Sequence, residues 1–433
     1  MPTYAIFRYT NPEVSPRQSA EEFLDHARNF IRQCIKTEDR VQVMLSGGVD
    51  SAVTAALLHL EVGDRLYATH INTGFMRLIK KEEESKLVAK KFSVFKNFNI
   101  VNGESLFYER VMGISDAEQK RLEFRRTYET IVDRVMAESN CNVLAQGTIL
   151  TDITETEKRI KSQHNVSLEF KNVKKIVEPI AGLYKDEVRK LAIHLTHGFN
   201  PFSIPREIDV LKYVYRRPVF PGPGLSIRAV GKITLEKINI VRKADSIFNR
   251  RVDDWTRSMY SEAVPFSPTQ FIEWETGEQV PFQSFAATFD DKLTEAPQEV
   301  KDLVEKKVNG KISCNVLDVN VTGIKSESRT YSRPICIESD FKLDYDVLQP
   351  LGVEIPSKTE FPRVLYKVST KVGSLKYLVA VRSVNSIDGV TADVNPIPMK
   401  VVRKVADEIV KECKVTGVYC DITPKPPATI EYE

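Results

Sequence analysis

The chain has 433 residues, enough for two or three domains, and its 42% hydrophobic and 28% charged content is that of a soluble globular protein. With 62 basic and 59 acidic side chains the formal charge is only +3, which gives no argument for a nucleic-acid partner. No apolar run is long enough to span a bilayer, no signal segment is evident, and six cysteines without a C-x-x-C pair offer neither a disulfide scaffold nor a clear zinc site; the expected location is cytoplasmic.

A short strand is predicted at 4–9 and, after a loop around Pro12 and Pro16, a helix at 20–35 that Ser19 caps and whose apolar face holds Phe23, Ala27, Phe30, Ile31 and Cys34. The apolar run 41–45 reads as a buried strand. It ends in Ser46-Gly47-Gly48, and an apolar-periodic helix then runs through Asp50 and Ser51 to Leu58. Further strands are predicted at 65–71, 94–100, 143–145 and 173–179, with helices near 80–91, 116–139 and 185–194 between them. Such alternation argues for an α/β fold, a parallel sheet covered on both faces. Ligands of these sheets sit at the carboxyl ends of the strands, where Ser46, Asn72 and Gln146 fall.

Composition changes at 201–228, where Pro201, Pro205, Pro218, Pro221 and Pro223, with Gly222 and Gly224, cannot continue a helix or a central strand. The stretch Y215-R-R-P-V-F-P-G-P-G-L-S-I-R228 reads as the join between domains, either a stiff linker or arginines set to hold an acidic ligand. Beyond it come a helix at 235–258, strands at 283–289, 312–322, 330–337, 363–368 and 376–384, a helix at 399–412 and the segment 417–421. This pattern predicts an α+β domain with an antiparallel sheet and a helix on one face. Residues 290–310 and 338–362 read as loops or excursions.

The chemistry concentrates around the first loop. Glycines let backbone N–H groups turn toward an anion, the helix N terminus adds unpaired donors, and Ser46 and Ser51 add hydroxyls, an arrangement suited to phosphate or pyrophosphate. The lysine of G-x-x-x-x-G-K-[ST] is missing and G-x-G-x-x-G does not fit. An incidental Gly-Gly in a strand–turn–helix is the plainer alternative. The match S-G-G-V-D-S, however, resembles the loop of the PP-loop pyrophosphatases, which cut ATP between the α and β phosphates. Beside such a loop, Asp152 and Glu155, three apart and sharing a face if helical, suit Mg²⁺ bridged to phosphate, or else form a solvated acidic turn. Lys161 is placed to reach the pyrophosphate or the α-phosphate as a point charge; Lys185 and the pair Lys80/Lys81 are weaker candidates. The segments Asn72-Thr73-Gly74 and Gln146-Gly147-Thr148 are candidates to line an adenosine pocket. Near the C terminus Lys425, set between prolines, with Thr429 and Glu431 nearby, is either part of a tail docked for stability or a grip on a substrate's phosphate or acidic ring, and Arg329 could complete an anionic pocket, in this chain or from a neighbouring subunit.

Over nearly its whole length the chain resembles the synthetase part of GMP synthase. The matching pieces are L45-S-G-G-V-D-S51, N72-T-G-F-M-R77, Q146-G-T-I-L-T-D-I-T-E155, K161-S-Q-H-N-V166, E178-P-I-A-G-L-Y-K-D-E-V-R-K-L191, R217-P-V-F-P-G-P-G-L-S-I-R228, S328-R-T-Y331, V381-R-S-V-N-S-I-D-G-V-T-A-D393 and K425-P-P-A-T-I-E431. The first marks only the superfamily; the proline-rich join and the C-terminal segment are far more specific. The resemblance implies a PP-loop ATP pyrophosphatase domain at 1–220 and a dimerisation and substrate-binding domain at 221–433. It implies ATP and Mg²⁺ as cofactors and adenylylation of the C2 oxygen of XMP, with release of pyrophosphate, before ammonia displaces AMP to give GMP. Ser46, Gly47, Gly48, Val49, Asp50 and Ser51 would then grip pyrophosphate with Mg²⁺ on Asp152 and Glu155, while Asp50 and Lys161 act at the phosphates. Pro221, Gly222, Gly224, Arg228, Arg329, Lys425, Thr429, Ile430 and Glu431 would hold XMP, and the chain would form a homodimer.

Two-domain members carry a glutamine amidotransferase domain in front, and too few residues precede the loop for one here, so free ammonia or a separate glutaminase subunit is expected. The chain departs from the family's K-S-H-H-N-V and following G-G-L-P in K161-S-Q-H-N-V-S-L-E-F170, and from its usual pattern at Asn72 and in T73-G-F-M-R-L-I-K80. An adenylylating ligase for another nucleotide or base is therefore the alternative. A PP-loop tRNA sulfurtransferase needs a cysteine pair and a basic RNA surface, against which stand Cys141 alone and the low net charge. A non-catalytic nucleotide-binding regulator is disfavoured by the joint presence of Ser46, Asp50, Asp152, Lys161 and Lys425.

Overall fold

The computed structural model describes residues 4–10, 13–79, 81–157, 170–197, 204–215, 220–259, 283–308, 310–326, 328–386 and 390–433. They form two units: Met1–Met76, Glu82–Arg110 and Arg121–Pro223 make the first, and Arg77–Lys81, Val111–Lys120 and Gly224–Glu433 the second.

The first unit is built on a six-stranded sheet of β1 (Ala5–Arg8), β2 (Val41–Met44), β3 (Leu66–Asn72), β4 (Asn97–Asn102), β5 (Val143–Ala145) and β6 (Lys175–Glu178), ordered β1-β6-β5-β2-β3-β4. Every pairing is parallel, as the alternation of strands and helices required. The longer helices are α1 (Ala20–Cys34), α2 (Val49–Val62), α3 (Glu84–Phe92), α4 (Glu104–Val111), α5 (Ala117–Ser139), α6 (Leu150–Glu157) and α7 (Lys185–His197), followed by two four-residue helices at Arg206–Asp209 and Leu211–Val214. Ser19 caps α1 by accepting from the Glu22 amide. Helix α2 is apolar on nearly all sides, with Ala52, Val53, Ala55, Ala56, Leu57 and Leu58 buried, because it packs on the sheet and under α1 and α7. The chain order turns back between β2 and β5: β3 and β4 lie to one side of β2, β5 and β6 to the other. That reversal opens a crevice at the carboxyl ends of β2 and β5.

The main segment of the second unit, Gly224–Glu433, carries the long α8 (Leu235–Met259). It continues through β7 (Gln283–Asp290), β8 (Leu293–Glu295), α9 (Gln298–Glu305), β9 (Ile312–Leu317), β10 (Val321–Lys325), β11 (Ser328–Ser332) and β12 (Ile335–Ser339). Then come α10 (Tyr345–Lys358), β13 (Val364–Lys367), β14 (Leu375–Asn385), β15 (Asp393–Val394), α11 (Met399–Cys413) and β16 (Val415–Asp421). The main sheet runs β8-β9-β12-β13-β16-β14-β15, with β7 also paired to β14, and β10 with β11 forms a separate ribbon.

The sheet is mixed, which corrects the antiparallel expectation: β12–β13 and β14–β16 pair in parallel. Parallel neighbours need a long crossover, and the crossovers are α10 and α11. The first falls in 338–362, expected as a loop or excursion, and it is a helix despite Pro350 and Pro356 inside it, where proline removes a backbone donor. Residues 290–310 likewise hold β8 and α9 rather than an irregular excursion. Helices α8 and α11 bring Ile240, Phe248, Val405 and Ile409 into one apolar core with Val379 and Val418 of the sheet. All six cysteines are buried and unbridged.

Candidate active site

The ladder between β2 and β3 ends where the Leu45 amide donates to the Thr69 carbonyl at 2.8 Å. The chain then leaves the sheet through Gly47, whose φ of 83° is one that a side chain disfavours. Two serines close the loop. Ser46 Oγ accepts from the Gly48 amide at 3.2 Å and lies 3.1 Å from Ser51 Oγ, which donates to the Gly48 carbonyl at 3.2 Å and accepts from the Ser46 amide at 3.3 Å. Gly48 caps α2 with no side-chain hydrogen bond, so among the described residues no N-cap side chain takes up the first-turn amides of α2. The turn after β5 lies directly on this helix end: a Cβ at Gly147 would stand 2.8 Å from Asp50 C and Ser51 N. Only glycine permits that approach.

Asp50 gives one carboxylate oxygen to Lys185 Nζ of α7. Arg189, one turn further along α7, adds its charge; burial holds its guanidinium at about 10, against the opposing pull of Asp50 and Asp186. The second oxygen, Asp50 Oδ1, is buried and accepts no hydrogen bond among the described residues. Asp152 stands in the first turn of α6, where one oxygen accepts from the Ile149 amide at 3.1 Å. Glu155 follows on the same helix, so the two do share a face, but its side chain lies outside the described residues, as do Lys161 and residues 163–169. Among the described residues no group of three or more metal-ligating side chains comes together; the oxygens present, the partnerless Asp50 Oδ1 and those of Asp152, are of the hard type that Mg²⁺ takes.

Other expected nucleotide residues also make bonds within the scaffold. Asn72 Oδ1 accepts from the Gly74 amide at 3.1 Å and from Ser85 Oγ at 3.2 Å, while the Gly74 carbonyl takes the Tyr108 hydroxyl at 2.8 Å. Thr148 is buried and donates to Glu178 Oε1 at 2.5 Å, and the Gln146 amide donates to the Val177 carbonyl at 3.1 Å.

In the second unit the C-terminal segment is folded into the interior. Arg228, 1% exposed, donates through Nε and Nη2 to Glu431 at 3.1 and 2.9 Å and through Nη1 to Asp245 Oδ1 at 3.1 Å, with its guanidinium 4.2 Å from the Phe285 ring centre. Gln283 Nε2 adds a bond to Glu431 at 2.5 Å. Burial raises the Asp245 carboxyl above its usual value, and the charges of Arg228 and Arg77 oppose it. Thr429 Oγ1 lies 2.5 Å from Thr322 Oγ1 and accepts from Arg363 at 2.8 Å. Lys425 is buried, its backbone paired with Ala392 at 2.7 and 2.9 Å, and Ile430, five residues further on, is buried as well. Arg329 does not join this cluster by any described contact; it binds Glu118 at 2.6 Å, which neutralises it. Gly224 opens the main segment of the second unit, whereas Pro221 and Gly222 belong to the first.

Sequence reasoning did not single out Asp245, Gln283 or Arg189, and it held Lys185, which the structure pairs with Asp50, as a weaker candidate. Asp245 and Gln283 carry no local signal. For α7, the spacing K-x-x-x-R puts both cations on one helix face and could have shown it.

Residues 367–432 match the family model described as GMP synthase C terminal domain, and residues 36–223 the model described as Thiamine biosynthesis protein (ThiI). Among curated proteins, a subunit of the glutamine-hydrolyzing GMP synthase of Sulfurisphaera tokodaii is 32% identical over 421 residues, covering 95% of this chain and 99% of its own. The corresponding subunit from Saccharolobus solfataricus is 33% identical over 419 residues, 95% of this chain and 98% of its own. Among solved structures, the NH3-dependent NAD synthetase from Campylobacter jejuni aligns with a TM-score of 0.31 at 16% identity, over 47% of this chain and 93% of that one. With end-to-end identity to these curated relatives, the chain belongs to their family, that of the glutamine-hydrolyzing GMP synthase subunits.

Proposed function

We propose that the protein aminates XMP to GMP at the expense of ATP, through an adenylyl-XMP intermediate, with ammonia supplied from a separate glutamine amidotransferase subunit. The observation that carries this reading is the uncapped N terminus of α2, with Asp50 held by Lys185, at the switch point of a parallel sheet. It stands in a chain aligned end to end with relatives named as subunits of glutamine-hydrolyzing GMP synthase.

The chemistry follows from a leaving-group problem, because the C2 oxygen of xanthine departs poorly. Attack of that oxygen on the α-phosphorus breaks the α–β bond and releases pyrophosphate; ammonia then adds at C2 and AMP leaves with the oxygen. The amides of Gly48 to Ser51 and the hydroxyls of Ser46 and Ser51 would take up the charge that develops on pyrophosphate. Lys185 and Lys161 would serve as point charges at the same end. Mg²⁺, held by Asp152, Glu155 and the free oxygen of Asp50, would supply charge neutralisation on the phosphates. At the acceptor end Lys425 would offer a charge to the phosphate of the purine nucleotide, with Thr429 and Glu431 nearby. A homodimer and a cytoplasmic location complete the reading, and among the described residues no helix is long and apolar enough to cross a membrane.

The test is to incubate pure protein with Mg-ATP, ammonium and XMP and to follow pyrophosphate and GMP. XMP-dependent release of pyrophosphate with formation of GMP supports the proposal; release with another nucleotide but not with XMP replaces the acceptor. Glutamine in place of ammonium should give no turnover until an amidotransferase subunit is added.

A further inference from the structure

One buried side chain joins the nucleotide loop to the turn that follows the neighbouring strand. His70, on β3, is 1% exposed. Its Nδ1 lies 2.7 Å from the Leu45 carbonyl, the last one before Ser46. Its Nε2 lies 3.1 Å from Ser85 Oγ of α3. Ser85 in turn donates to Asn72 Oδ1 at 3.2 Å, and the same oxygen receives the Gly74 amide at 3.1 Å. The chain of bonds therefore runs from the base of the loop, through one imidazole, to the turn at the end of β3.

The physical need is clear from where β2 leaves the sheet. Past the Leu45 amide the backbone ladder stops, and a buried carbonyl at that point must find a donor or cost about 1–3 kcal/mol. A carbonyl can only accept, so Nδ1 carries the proton and the ring plane is fixed. With Nε2 left as an acceptor, the one Ser85 hydroxyl hydrogen is shared between Nε2 and Asn72 Oδ1, and that shared hydrogen ties the fixed ring to the Asn72 turn.

We propose that His70 is a positioning residue for ATP. Through Leu45 it sets the orientation of the Ser46–Gly48 cradle, and through Ser85 and Asn72 it keeps the Asn72–Gly74 turn in register with that cradle. This rests on the reading of the loop as the ATP site but not on the identity of the acceptor.

The experiment uses the full chain and two readouts: calorimetric binding of α,β-methylene ATP in the absence of acceptor, and steady-state pyrophosphate release with ATP, XMP and ammonium. His70→Phe keeps the ring and removes both nitrogens. His70→Asn places an amide nitrogen where Nδ1 stands, and Ser85→Ala cuts only the second link. The expected result for His70→Phe is analogue binding about tenfold weaker and a matching rise in the KM for ATP, with the KM for XMP unchanged, the fold-change of one lost buried hydrogen bond. His70→Asn should recover most of that loss, and Ser85→Ala should show a smaller one. Unchanged analogue binding in a folded His70→Phe, or an equal rise in the KM for XMP, overturns the assignment. Should His70→Phe fail to fold, His70→Gln, which reaches the Nε2 position but not Nδ1, takes its place: binding weaker than in His70→Asn supports the assignment, and equal binding overturns it. A wild-type chain that binds the analogue yet makes no GMP would remove the XMP reading and leave this one standing.

Discussion

Replacing Arg228 with methionine tests the buried cluster of the second unit most severely. Arg228, itself 1% exposed, makes two charge-assisted bonds to Glu431 and one to Asp245. Methionine fills much of the space but leaves two buried carboxylates facing each other, with Gln283 still on Glu431 and the Ala286 amide still on Asp245. Breaking one side of a buried ionic network costs about 3–5 kcal/mol, which for a unit of this size is a fall in Tm of roughly 6–20 °C. Both tryptophans, Trp255 and Trp274, lie beyond residue 224, so urea unfolding followed by their fluorescence reports this unit selectively. The loss should also depend on pH. Burial already raises the Asp245 carboxyl, so its contribution to stability is greatest below its unfolded value and falls as pH rises through the folded one. Removing Arg228 takes away the largest opposing charge and pushes that carboxyl further up. The gap between wild type and variant should therefore narrow from neutral to mildly acidic pH, and Asp245→Asn in the variant background should recover part of it. A loss below about 1 kcal/mol, or a gap that ignores pH, refutes the reasoning.

Lys185→Met removes the cation paired with Asp50 and should cut pyrophosphate release by about a hundredfold with the circular dichroism spectrum unchanged. Gly147→Ala places a methyl 2.8 Å from the backbone of Asp50 and Ser51, so urea unfolding should show a loss of about 1–3 kcal/mol and calorimetry weaker nucleotide binding. Chelation of Mg²⁺ should abolish pyrophosphate release, and Asp50→Asn should raise the Mg²⁺ concentration needed for half-maximal rate several-fold, since it neutralises the carboxylate whose Oδ1 is orphaned.

The first unit was legible because its signals are local. An apolar run, a glycine pair and a periodic helix in direct succession announce the loop, and strands alternating with helices force a parallel sheet. What local reading does not carry is dependence on distant backbone. Gly147 looks like any loop glycine until the turn that holds it is laid across the start of α2. Asn72 reads as a candidate ligand residue, and nothing local shows that its oxygen also closes its own turn and holds Ser85. In the second unit α10 lies where a loop or excursion is expected, and without that crossover the parallel pairing of β12 and β13 had no route. The Arg228–Glu431 pair spans 203 positions in the chain, so Asp245 and Gln283 acquire partners that no window of sequence contains.

The position of β16 has a consequence for biosynthesis. This strand lies in the interior of the second sheet, between β13 and β14, yet it is the last strand in the chain. The first sheet is complete once β6 has been made, so its unit can collapse while the ribosome is still working. The second sheet stays split down its middle until residues 415–421 emerge, with the edges of β13 and β14 waiting unpaired. Such non-local closure is slow and leaves edges open to other chains, so nascent protein interrupted before that point should be the species that chaperones and proteases capture.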